Sequence, residues 1–87
     1  PVVIGGFHAT LAPQEALRHA DAVVVGEAEG VWPRVIEDAA AKRLSGVYRS
    51  EALSDMKGLP IPRYDLLDLR RYRIPNLPAQ TTRGCPY

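Results

Sequence analysis

The stretch Val2-Val3-Ile4-Gly5-Gly6-Phe7-His8-Ala9-Thr10 decides how this chain is expected to fold. Its run of β-branched residues predicts a buried strand, and the two glycines that follow end the strand and allow close backbone approach or positive φ. His8 and Thr10 then ride on the loop that the strand delivers. In a parallel α/β sheet such a loop lies at the carboxyl edge, where these sheets bind ligands. A tight strand exit with no ligand accounts for Gly5-Gly6 equally well. No turn or cap precedes the strand, so the sequence reads as a fragment of a longer protein.

Downstream, Pro13 followed by Gln14, Glu15, Ala16, Leu17 and Arg18 predicts a short helix ending near His19 or Ala20, with proline in its first turn and Glu15 at its positive end. Ala22-Val23-Val24-Val25 is apolar on successive residues rather than alternating, which predicts a strand covered on both faces, as in a parallel sheet. Gly26-Glu27-Ala28-Glu29-Gly30 ends it. Trp32, Val35, Ile36, Ala39 and Ala40 recur at helical spacing, predicting a helix from about Gly30 to Ala41 with Trp32 in the core. The order strand, helix, strand, helix makes a βαβα unit with a right-handed crossover. Val47-Tyr48-Arg49 is expected as a short extra strand, antiparallel at the sheet edge. Beyond it, Leu59-Pro60-Ile61-Pro62 is expected to be extended, Asp65 to cap a helical turn through Leu66, Leu67 and Leu69, and Ala79-Gln80-Thr81-Thr82 to be a strand.

With 87 residues, the chain suits one small domain with a modest core. Five of the eight prolines fall from Pro60 onward, so the front is expected to fold and the rear to form a flexible C-terminal tail. Net charge is only +1, with acids in excess through Ser45 and bases in excess after it. No aromatic interleaving accompanies the basic rear, so a solvated or domain-facing linker is the reading there and nucleic acid is not expected as a partner. The apolar runs are strand-sized, which argues against a membrane span and for a cytoplasmic protein. One cysteine, Cys85, permits no internal disulfide.

Chemistry is expected at the two strand ends. Neither carries a Gly-Lys-Ser/Thr phosphate loop or a G-x-G-x-x-G fingerprint. His8 lacks a second His, Cys or paired carboxylate at metal spacing, so hydrogen bonding to a ligand or to its own loop is the reading. Glu27 and Glu29 share a side of an extended loop and suit hydroxyl or amide donors; neutralising the amino end of the following helix is the plainer role for one of them. His8 and His19 have no nucleophile and acid to complete a triad.

Taken together, Val-Val-Ile-Gly-Gly-x-His-Ala-Thr, Ala-Asp-Ala-Val-Val-Val-Gly-Glu-x-Glu, Leu-Pro-Ile-Pro-Arg-Tyr-Asp-Leu-Leu-Asp-Leu and Thr-Thr-Arg-Gly-Cys-Pro-Tyr, in this order, resemble the cobalamin-binding radical SAM enzymes. The resemblance implies a partial flavodoxin-like α/β unit: residues 1–50 as the carboxyl half of a cobalamin-binding domain, 51–78 as an interdomain linker and 79–87 as the start of a radical SAM domain. It implies cobalamin contacts at Gly5, Gly6, His8, Thr10, Gly26, Glu27 and Glu29. Cys85 matches the first cysteine of C-x-x-x-C-x-x-C, whose thiolates hold a [4Fe-4S] cluster that cleaves S-adenosylmethionine; both belong to the full-length protein only, because the chain stops two residues later. The implied partners are the small-molecule cofactor and the rest of the same chain, an upstream half-domain and a downstream barrel. Phe7 stands where the family commonly has proline and Ala28 where it has glycine, and the D-x-H-x-x-G cobalt-ligating motif is absent. The implied reaction is a radical methylation or oxidative cyclisation, as in the anaerobic magnesium-protoporphyrin monomethyl ester cyclase. The alternatives are a cofactor-free flavodoxin-like interaction or regulatory module and a small nucleotide-binding protein.

Overall fold

The computed structural model describes residues 1–74 and 76–84, which fall into two compact units, Pro1–Ser54 and a second beginning at Asp55. In the first unit the elements run β1 (Val3–Ile4), α1 (Phe7–Leu11), α2 (Pro13–Ala16), β2 (Ala22–Val25), α3 (Trp32–Ala40) and β3 (Gly46–Arg49). The strands form one parallel sheet in the order β1-β2-β3, with Val3 beside Ala22 and Ala22 in turn beside Gly46. This is the α/β class expected, with the three-stranded parallel sheet of a partial flavodoxin-like unit.

β2 is the centre of the unit, and all four of its residues are buried. The pleat sends Val23 and Val25 to one face, where Ala9, Ala16, Ile4 and Leu17 meet them, and Ala22 and Val24 to the other, against Val35, Tyr48, Val3, Val31 and Leu44. The unbroken apolar run is thus explained: both faces are covered, by α1 and α2 on one side and α3 on the other. Each fully buried valine contributes on the order of 2 kcal/mol of burial. Both crossovers step the same way across the sheet but use opposite faces, so they have opposite hands, and the right-handed rule describes only one of them.

Several local expectations are corrected. The segment after Gly6 is a helix rather than a loop: Gly6 takes φ 93 and ψ −171, turns the chain sharply, and its carbonyl accepts from the Thr10 amide at 2.9 Å. α2 ends at Ala16, before the expected His19, because the Arg18 and His19 amides tighten onto the carbonyls of Glu15 and Ala16, three residues back. β3 is parallel, not antiparallel, since α3 carries the chain back along the sheet before β3 begins. Trp32 is 46% exposed and Ile36 53%, because α3 is rotated to bring Val31, Val35 and Asp38 toward the sheet. Asp38 lies under that face because its carboxylate accepts from the Tyr48 hydroxyl at 2.8 Å.

α3 stops in a Schellman turn: the Arg43 amide bonds the Asp38 carbonyl at 2.8 Å and the Lys42 amide the Ala39 carbonyl at 3.1 Å, with Lys42 at φ 56.

In the second unit, short 3₁₀ turns span Tyr64–Leu66 and Leu69–Arg71. Asp65 lies inside the first turn and pairs with Arg63; the capping carboxylate is Asp68, which accepts from the Arg70 amide at 3.3 Å. Residues 79–82 form no strand. Among the described residues no helix is long and apolar enough to cross a membrane.

Candidate functional site at the carboxyl edge of the sheet

Three parallel strands end at one edge, so their exits, Gly5-Gly6, Gly26 and Ser50, are neighbours. Hydrogen bonds stitch them together. The Gly26 amide donates to Thr10 Oγ1 at 3.1 Å, and the Ser50 amide donates to the Val25 carbonyl at 3.3 Å. Thr10 reaches Gly26 because α1 turns back immediately after Gly6 and sets Thr10 one turn along the helix.

The glycines differ in what they contribute. Gly6 occupies a backbone region that is essentially closed to side chains, and a Cβ there would meet nothing within 4 Å. Its role is therefore the turn, and the space beside it is open. Gly26 takes φ 79, with the Ser50 carbonyl 3.8 Å from where a Cβ would stand. A Cβ on Gly5 would make only ordinary contacts with Val24, at 3.7 and 3.8 Å.

The polar residues named from the sequence divide into those engaged at the edge and one turned along the helices. Glu27 accepts the Ser54 amide at 2.5 Å, and Glu29 accepts the Ser54 hydroxyl at 3.5 Å. His8 is largely exposed and its Nε2 lies 3.6 Å from Glu15 on α2. The edge thus gathers Gly5, Gly6, Thr10, Gly26, Glu27 and Glu29, while the His8 ring is drawn toward Glu15. Among the described residues no group of three or more His, Cys, Asp or Glu side chains is placed to hold a metal ion. Cys85, the expected cluster ligand, lies outside the described residues.

Ser50 and Ser54 belong to this edge and were not singled out from the sequence. A parallel orientation for Val47–Arg49 would have pointed to Ser50, because it delivers the next residue to the same edge as Gly26. Nothing local marks Ser54, whose partners lie 25 and 27 residues earlier.

No family model matches the chain, and no solved structure matches it. Curated proteins do. The chain is 35% identical over 99% of its length to the bacteriochlorophyllide d C-8(2)-methyltransferase of Chlorobaculum tepidum, covering 20% of that protein. It is 36% identical to an uncharacterised methyltransferase of Synechocystis sp., covering 16% of it, and 30% identical to the C. tepidum bacteriochlorophyllide d C-12(1)-methyltransferase, covering 19%. The chain spans about a fifth of the length of these curated relatives. Along nearly all of its own length, then, the chain is homologous to a segment of methyltransferases.

Proposed function

We propose that this chain supplies one side of the cobalamin pocket of a cobalamin-dependent radical SAM methyltransferase. The observation that carries the reading is the joining of two glycine-rich strand exits at one sheet edge by the Thr10–Gly26 hydrogen bond. Open α/β sheets bind ligands at that edge. Relatives named as methyltransferases favour methylation over oxidative cyclisation as the reaction.

The residues fit a large cofactor held against backbone. Gly6 leaves open space where a side chain would stand, and Gly5 and Gly26 keep the neighbouring backbone bare. Thr10 fixes the distance between the two exits, and Glu27 and Glu29 set the position of the second one. His8 hydrogen-bonds at the mouth rather than ligating cobalt, consistent with its place beside Glu15. Cobalamin bound there would carry the methyl group, while an iron-sulfur cluster with Cys85 as its first ligand and S-adenosylmethionine would initiate the radical step. In this reading residues 1–50 belong to the cobalamin domain, 51–78 to the linker and 79–87 to the radical SAM domain. The partner is the rest of the same chain, in the cytoplasm.

Retention of hydroxocobalamin by the intact protein, followed by its visible spectrum, tests the reading. Stoichiometric binding that weakens at least tenfold in the double variant Gly6→Val, Gly26→Val, purified in folded form, is the expected result. An intact, folded protein that retains no cobalamin overturns it.

A further inference from the structure

The chain leaving β3 stays against its own unit as far as Ser54. The Ser50 amide continues the sheet by bonding the Val25 carbonyl at 3.3 Å, and the Ser50 hydroxyl bonds the Ala52 carbonyl at 2.8 Å. The segment thereby curls, and it ends with the Ser54 amide on the Glu27 carboxylate at 2.5 Å and the Ser54 hydroxyl on Glu29 at 3.5 Å. A Cβ on Gly30 would stand 3.2 Å from the Ser50 hydroxyl, so the segment lies directly against the Gly26–Gly30 loop. Leu53, within it, is 86% exposed, so apolar packing does not fasten the segment. The carboxylates do.

We propose that residues Ser50–Ser54 form a strap over the Gly26–Gly30 loop, latched at its far end by Glu27 and Glu29, and that release of this latch opens the second strand exit at the carboxyl edge. A carboxylate that accepts a backbone amide makes a charge-assisted bond, stronger than a neutral one, and its loss frees the far end of the segment while Ser50 keeps the near end on the sheet. Glu27 and Glu29 are in this account positioning residues: they fix the loop through the chain's own serine. The account deepens the cobalamin reading and rests on it only for the identity of what enters when the strap opens.

Amide exchange of the intact protein, without added ligand, reads the latch directly. Replacing Glu27 with Ala is expected to speed exchange of the Ser54 amide about tenfold, the worth of one charge-assisted hydrogen bond. The Val24 amide, inside the sheet, should keep its rate in that variant. Glu27→Gln, which retains an acceptor but not the charge, should fall between. Ser54→Pro removes the donor by another route, and adding Glu27→Ala to it should speed exchange of the Ser50 amide, which holds the near end on the Val25 carbonyl, no further. Unchanged Ser54 exchange in Glu27→Ala, or additive effects of Glu27→Ala and Ser54→Pro on the Ser50 amide, would overturn the strap. In the same variants, release of hydroxocobalamin should quicken several-fold. Absence of cobalamin binding in the unaltered protein would sink the cofactor reading while leaving the exchange result to decide the strap; bound cobalamin leaving at an unchanged rate from an unlatched variant would refute the gating role.

Discussion

Thr10 and Gly26 stand 16 residues apart, and the Thr10 hydroxyl accepts the Gly26 amide at 3.1 Å. The bond ties the end of β2 to the helix that follows β1, so the spacing of the two strand exits depends on one side chain. Thr10→Val keeps the shape and removes the acceptor. It should lower stability by about 1 kcal/mol, the net worth of one hydrogen bond, and speed Gly26 amide exchange. Thr10→Ser should retain both, as thermal unfolding and exchange would show; equal losses in the two variants would mean that the methyl group, not the hydroxyl, is what matters.

Gly6 carries the turn between β1 and α1 in a backbone region closed to residues with a Cβ. Gly6→Ala should therefore cost about 1–3 kcal/mol although the added methyl meets open space. Gly5→Ala, with contacts no closer than 3.7 Å, should cost far less. Urea unfolding of the two variants separates conformational strain from crowding, and equal costs would contradict the assignment.

The legible parts of the fold were those set by contiguous residues. Ala22–Val25 announced a doubly covered strand because burial on both faces leaves no polar position to fill. The helix Phe7–Leu11 stayed hidden because a five-residue helix with no strong periodicity rests on the conformation of Gly6, which a glycine permits but does not announce. The direction of β3 depends on where α3 returns the chain, a non-local matter. The orientation of α3 is not legible from its apolar residues alone: a polar residue, Asp38, takes the inward face by bonding Tyr48. At the candidate site, the glycine exits and their neighbouring polar residues were readable, whereas the Ser54 latch, made by a distant backbone amide, was not.

Asp38 accepts from Tyr48 at 2.8 Å and from Arg43 at 3.0 Å, closing the end of α3 onto β3. The Tyr48 hydrogen bond, followed by Arg43, holds the Asp38 carboxyl below its ordinary range, while burial and then the Asp38 carboxylate push the Tyr48 phenol up. The signs follow from which form each state favours. The Asp38 contribution is present above about pH 3.9, the unfolded value, and is lost as pH falls through the lower folded one. The Tyr48 contribution is complete below about pH 10 and is lost as pH rises through the folded value. Thermal midpoints measured across pH should therefore fall at both extremes. Tyr48→Phe should lessen both falls, and a variant with the same profile as the unaltered protein would show that the pair does not couple to folding.

Lys42 sits at φ 56, the left-handed position of the turn that ends α3, where glycine is the usual occupant. The turn is well formed: the amides of Lys42 and Arg43 bond the carbonyls of Ala39 and Asp38 at 3.1 and 2.8 Å. The hydrophobic contact that often closes such a turn is replaced by the Arg43 guanidinium on the Asp38 carboxylate. A lysine there bears a left-handed penalty of about 1 kcal/mol, which Lys42→Gly relieves. The gain is partly offset because glycine makes the unfolded chain more flexible. A net stabilisation of about 0.5 kcal/mol is expected, raising the thermal midpoint by about 3 °C for a chain of this size. Lys42→Val, with a β-branched side chain in the same conformation, should lower it instead. If Lys42→Gly lowered the midpoint as well, the lysine side chain rather than its backbone would be what serves the helix end.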